Sequence, residues 1–252
     1  MKKYVLLVLF LVVAVSLQAQ TNAGLLAGNT RNGVVQFFLD IWLLLISAAA
    51  GAVGYYLYAG WNTISLRKKL CGFSIIVLVL HVLEEWVYPS GLYYIHNVWL
   101  QSPEPTRYPM NQFSDMITNF FALVIAIFVF WKWNDKAVTA LTLVLFCFLE
   151  VASHTQLGFL AVSKFSSAGM SVPYSPGLAT SLFGFLPIGI GFIVSLKKEK
   201  DFTIAKTFWA LLILIFLIVM LILIPEIGMK DLNTPYNFPN NGYYDRYIEQ
   251  SK

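Results

Sequence analysis

Charge is scarce in this chain. Of its 252 residues only 12% are Asp, Glu, Lys or Arg, against about 25% in soluble globular domains, while 58% are hydrophobic. No polar stretch is long enough to make a water-soluble domain, so the length describes a single membrane domain. Cysteine is nearly absent. The two that occur, Cys71 and Cys147, fall inside apolar runs, which excludes a disulfide framework or a CxxC metal site and leaves apolar packing. Three histidines are too few for the histidine-rich pattern of membrane desaturases or hydroxylases. There is no internal repeat, no Gly-rich phosphate loop and no G-x-S-x-G elbow. The net charge of +4 resides mostly at helix ends, where it sets membrane orientation, and implies no nucleic-acid partner.

What the chain has instead is long apolar runs. Lys2 and Lys3, the apolar stretch from Tyr4 to Val15 and the small-residue site ending at Ala19 have the three parts of a secretory signal, so residues 1–19 are expected to be a signal peptide. An uncleaved signal anchor is the alternative, because Leu17 is large for its place. Six further segments follow: Val34 to Ala59, Leu70 to Tyr88, Ser114 to Trp131, Ala137 to Ala161, Gly177 to Leu196 and Thr207 to Ile224. The expected fold is therefore an all-α polytopic transmembrane bundle over residues 20–225, followed by an extended tail over residues 226–252. Ser114 and Asp115 mark the start of the third segment. The sixth segment is aliphatic all round and is expected at the lipid-facing periphery. Pro187 is expected to kink the fifth.

Linker charge alternates. Arg67, Lys68 and Lys69, then Lys132 and Lys136, then Lys197, Lys198, Lys200 and Lys206 occupy every second linker, and the others carry only Arg107 and Lys164. The positive-inside rule puts the basic linkers in the cytoplasm, and the signal peptide requires the same orientation. The chain is expected in a membrane facing the cytoplasm, with both mature termini outside the cytoplasm. Tyr88, Tyr93, Tyr94, Trp99 and Tyr108 would then form an outer aromatic belt, with Trp61, Trp131, Trp133 and Trp209 at the inner interface. The outer loop from Pro89 to Phe113 is long for a simple connection and could fold over the bundle, with His96 in it solvated or bonded locally, and a lid or ligand role as the alternative.

Against that background, ionisable residues inside the apolar segments stand out, since such residues in hydrocarbon are costly and mark functional sites. His81, Glu84 and Glu85 share one face of the second segment by their three- and four-residue spacing, and Glu150 and His154 share a face of the fourth. At about 1.5 Å per residue, His81 lies roughly 16 Å from the cytoplasmic end, Glu84 and Glu85 roughly 21 to 23 Å, and Glu150 and His154 roughly 20 and 26 Å. Asp40 and Asn119, counted down from the outer surface, fall at about the same level. No Lys or Arg lies at that depth in any segment. The carboxylates must be protonated, open to an aqueous cavity, or paired with a bound cation. Glu84 and Glu85 could also reach water from the helix end, Asp40 could bond between helices, and Asn119 could be interhelical glue.

Two imidazoles with several carboxylates suit a divalent metal, zinc, iron or manganese. His81, Glu85 and His154 are the expected ligands. Glu150, as fourth ligand or base, and Glu84 are the catalytic carboxylates, and Asp40 and Asn119 orient ligands or bind substrate. The stretch His81-Val82-Leu83-Glu84-Glu85, in a small polytopic protein with a later histidine in Glu150-Val151-Ala152-Ser153-His154, resembles the bacterial membrane family named for its HxxEE motif. That family's second histidine corresponds to His154, and the resemblance spans roughly the second to fifth segments. It implies a site and brings no reaction with it. The expectation from the residues is a membrane-embedded metal-dependent enzyme acting on a lipid or other apolar small molecule from the outer half of the bilayer, with hydrolysis ahead of oxidation. The competing expectations are a metal-free acid/base lipid isomerase and a non-catalytic ion or proton transporter or binding subunit.

Overall fold

Polar residues at the segment ends set where each helix begins. Asn32 Oδ1 accepts from the backbone N–H groups of Val34 and Val35 and opens α1, Gly33–Ala59, which closes at Gly60. Ser65 caps α2, Leu66–Trp86, and Thr203 caps α7, Ile204–Met229. Between them run the short α3, Leu92–Trp99, then α4, Gln112–Lys132, α5, Ala137–Phe165, and α6, Leu178–Lys198. A last short helix, α8, covers Asp245–Gln250. The expected start of α4 moves upstream: Asn111 is its cap, in a reciprocal capping box with Ser114, and Asp115 is buried for another purpose. This computed structural model describes residues 31–250, among which there is no strand, and the expected signal peptide lies outside the described residues.

Helices α1, α4, α5, α6 and α7 are each long and apolar enough to cross a membrane, which makes the chain a multi-pass membrane protein. Helix α2 matches α4 in length at 21 residues but carries Arg67, Lys68 and Lys69 in its first turn and Glu84 and Glu85 in its last. It packs between α1, α4 and α6 and holds the largest share of buried residues in the bundle core. Helix α7 is peripheral, as its composition implies, burying only Ala210 and Leu214 along its first fifteen residues.

Two prolines are accommodated in the same way. A proline ring collides with the carbonyl four residues back, and a wide turn moves that carbonyl aside. One turn of i→i+5 bonding at Ser181–Phe185 precedes Pro187, and another at Val219–Leu223 precedes Pro225. In the second case the displaced Leu221 carbonyl accepts from the Thr118 hydroxyl at 2.6 Å, so α4 satisfies what the proline leaves open in α7.

The two ends of the bundle differ. At the basic end, buried Arg67 donates to Asp201 at 2.7 Å, to the Asp135 carbonyl at 2.8 Å and to Ser195 at 3.3 Å, tying the start of α2 to the α4–α5 and α6–α7 turns. The guanidinium hydrogen bond holds the Asp201 carboxyl below its ordinary range. The other end is capped. Tyr93, Tyr94 and Ile95 of α3 pack with Leu157, Ala161 and Phe165 of α5 and with Phe238, Tyr244 and Tyr247 of the tail. Tyr93 and Tyr94 are thus core residues rather than members of an interfacial belt, and the Tyr93 ring stacks on Phe238 at 3.5 Å. The tail also differs from the expected free coil. Helix α7 runs past residue 225 to Met229, and the chain beyond it folds back, with Gln112 donating to the Tyr236 carbonyl, Phe238 to Thr106 and Tyr243 to Ser90. His96 is not bonded locally as expected but joins α3 to the end of α7, 2.8 Å from Glu226.

Candidate metal centre

On α2, His81 and Glu85 are one turn apart; on α5, Glu150 and His154 are one turn apart. Both pairs point into the gap between these helices. His81 Nε2 lies 3.0 Å from Glu85 Oε1 and 3.3 Å from Glu150 Oε2, and His154 Nε2 lies 3.4 and 3.5 Å from the same two oxygens. The four contacts close into a ring in which nitrogen and oxygen alternate. His81, Glu150 and His154 offer ligand atoms all within 4.8 Å of one another, a cluster that could hold a metal ion. Adjacent ligands at about 2.0–2.1 Å from a tetrahedral metal sit about 3.3 Å apart, close to the four N–O contacts, but the cluster whose atoms all lie within 4.8 Å of one another is His81, Glu150 and His154, without the expected ligand Glu85.

The other face of each imidazole is fixed by a hydroxyl. Thr180 Oγ1 is 2.6 Å from Glu84 Oε2, to which it donates, so it accepts from His81 Nδ1 at 2.8 Å. Ser175 Oγ donates to the His154 carbonyl at 2.8 Å and accepts from His154 Nδ1 at 3.3 Å. Each Nδ1 therefore carries hydrogen, which leaves Nε2 as the atom each imidazole directs at the ring carboxylates. Metal-bound histidines are held in the same way.

Glu84 belongs to the support of the ring and is not a member of it. Its oxygens accept from Tyr174, from the backbone N–H groups of Ala179 and Thr180, and from the Thr180 hydroxyl at 2.6–3.1 Å, so it caps the start of α6. Burial, and then the bond to Glu84, push the Tyr174 phenol above its ordinary range and keep it a donor. Gly177 lies directly over His154: a Cβ there would stand 2.6 Å from Nδ1, so only glycine lets α6 begin this close to the ring. Phe185 closes another side, its ring centroid 5.3 Å from that of His81.

Access is one-sided. The side chains of His81, Glu85 and His154 are 4–5% exposed, and that of Glu150 is 20% exposed. Among the described residues no Lys or Arg forms an ion pair with Glu84, Glu85 or Glu150.

The other expected site residues lie elsewhere. Asn119 donates to Asp115, whose second oxygen accepts from Trp86 Nε1 at 2.7 Å, so Asn119 orients a buried carboxylate of α4. Asp40 is exposed on α1 and bonded to Gln36 of the same helix at 2.6 Å. Four residues of the site were not foreseen: Tyr174, Ser175, Gly177 and Thr180. Only Thr180 had a legible signal, since it lies three residues inside the fifth apolar segment from its first residue, bonded to Glu84.

Residues 73–192 match the family model described as a protein of unknown function with HXXEE motif. The match contains all four ring residues, together with Glu84, Gly177 and Thr180. No curated protein and no solved structure matches the chain.

Proposed function

We propose that this HXXEE-motif chain binds one divalent metal ion, zinc, iron or manganese, among His81, Glu85, Glu150 and His154. In this reading it is a membrane-embedded metal-dependent enzyme that acts on a lipid or other apolar substrate from the outer half of the bilayer, as a hydrolase. The observation that carries the reading is the closed N/O ring with both Nδ1 atoms committed to hydroxyls. A protonated imidazole would aim its single Nε2–H at one carboxylate at about 2.8 Å, whereas each Nε2 here faces two oxygens at nearly equal and longer distances. The exception is the 3.0 Å contact of His81 with Glu85, which favours, as the second reading, a metal-free pair doing acid/base work.

A metal in this ring would supply Lewis-acid polarisation of an ester or amide carbonyl, or an activated water. The side chains divide the remaining work. His81 and His154 are held rigidly from behind, which favours one geometry at Nε2. Glu85, enclosed, would help hold the ion. Glu150, with the most exposed carboxylate of the ring, would be the group to take up a proton at Oε2. Basic residues gathered at the opposite end support an orientation with the capped end outside the cytoplasm of a bacterial inner membrane. Lipid substrates reach such a site from within the membrane, consistent with its apolar surroundings.

Incubation of the purified, zinc-loaded protein with a total lipid extract, followed by mass spectrometry, tests the reaction. The expected result is loss of one lipid class with matching hydrolysis products, abolished in Glu150→Gln. Turnover that is unchanged in Glu150→Gln, or the same with and without metal, would count against it.

A further inference from the structure

Above the ring, at the capped end, is an open depression of about 710 Å³ whose walls include Tyr88, Tyr174, Tyr243, Asp245 and Arg246. Its chemistry is unusual for the surface of a membrane protein. Opposite charges sit on adjacent residues, and three tyrosine rings surround them. Arg246 is held in place: Nη2 donates to the Tyr243 and Tyr247 hydroxyls, and the guanidinium lies 5.0 and 4.5 Å from those ring centroids. Asp245 is held as well, since Oδ1 accepts from the backbone and side-chain nitrogens of Asn241 at 3.1 and 2.7 Å.

The depression is also wired to the ring. Tyr174 lines it and donates to Glu84 at 2.8 Å; Thr180 donates to Glu84 at 2.6 Å and accepts from His81 at 2.8 Å. Along α2, His81 lies five residues before Trp86, about 7.5 Å below the helix end at 1.5 Å per residue. The ester groups of a glycerophospholipid lie a few ångströms below its phosphate, toward the bilayer centre.

We infer that this depression holds the zwitterionic headgroup of a phospholipid, with Arg246 binding the phosphate and Asp245 and the tyrosine faces binding the ammonium. Guanidinium forks match phosphate oxygens, and aromatic faces beside a carboxylate match an alkylammonium. This rests on the lipid-hydrolase reading for its purpose, but the binding site is testable by itself.

The full-length protein in detergent is titrated calorimetrically with dihexanoylphosphatidylcholine and, separately, with dihexanoylphosphatidylglycerol, while metal content is measured on the same preparation. The choline lipid is expected to bind more tightly than the glycerol lipid. Arg246→Ala should weaken choline-lipid binding by at least about tenfold, the equivalent of 1.4 kcal/mol. Tyr88→Ala, at a side chain 84% exposed and free of packing duties, should weaken it severalfold without unfolding the protein. Equal or tighter binding of the glycerol lipid overturns the inference, as does choline-lipid binding unchanged in both variants. Choline-lipid binding lost in the variants of a metal-free protein sustains the headgroup site and defeats the metal reading. Bound metal with no choline-lipid binding does the reverse.

Discussion

At the scale of single residues, the ring depends on groups that never face it. Thr180 both anchors Glu84 and receives His81 Nδ1–H, so one hydroxyl sets the imidazole's tautomer and its direction. Thr180→Val keeps the shape and removes both bonds. Leaving the buried His81 Nδ1–H without its partner costs about 1–3 kcal/mol, while Glu84 keeps its bonds from Tyr174 and from the Ala179 and Thr180 backbone, and loss of such outer support lowers metal affinity about 10–100-fold. Competition against a chromophoric zinc chelator measures it: Thr180→Val should release zinc readily, while Thr180→Ser, which keeps the hydroxyl, should stay close to wild type. Equal zinc affinity in the valine and wild-type proteins would remove Thr180 from the account. Asp40 makes the converse point. Counting along a helix gives height, which is why Asp40 reads as level with the ring, but says nothing about azimuth. Asp40 is two residues, about 200° of rotation, from the buried Trp42, and so it faces away from the core.

At the scale of elements, the decisive contact is the approach of α6 to α5 at Gly177. Two glycines separate its contributions. Gly177 has φ of +96° and the His154 ring where a Cβ would be, whereas Gly169 has φ of +82° and nothing within 4 Å of that position. Alanine at Gly169 should cost only the backbone penalty of about 1–2 kcal/mol. Gly177→Ala should cost that and more, with a larger drop in melting temperature and loss of zinc binding. Equal shifts would show that the packing of α6 on His154 does not matter. The apolar segments were legible to within a few residues at most ends because length, hydropathy and capping all act locally. The ring pairs were legible too, since i, i+4 spacing fixes which side chains share a face. Helix α3 and the tail were not. Their order comes from Tyr93, Phe238 and Tyr244 packing between segments about 150 residues apart, which no local period encodes. Tyr174 and Ser175 were hidden for the same reason, lying in a linker whose only distinction is what it touches, and Gly177, first residue of the fifth segment, is marked only by its contact with His154.

At the scale of the molecule, the membrane determines where the chemistry can be. An apolar bundle core fills the space toward the basic end, an aromatic core of α3, α5 and the tail closes the other, and the ring sits between them near the capped end. That layering leaves Glu150 the most exposed member of the ring and puts the depression of Tyr88, Tyr174 and Arg246 at the capped end. It also leaves the ring carboxylates without any Lys or Arg partner among the described residues, so their charge is balanced by the two imidazoles themselves or, in the reading proposed above, by a divalent cation. The most direct test is metal stoichiometry, measured by inductively coupled plasma mass spectrometry on protein purified without chelator. The account predicts close to one divalent ion per chain in the wild type and almost none in the His81→Ala, His154→Ala double variant that still elutes as a folded species. A wild-type protein with only trace metal, or a double variant that keeps its full complement, would contradict it.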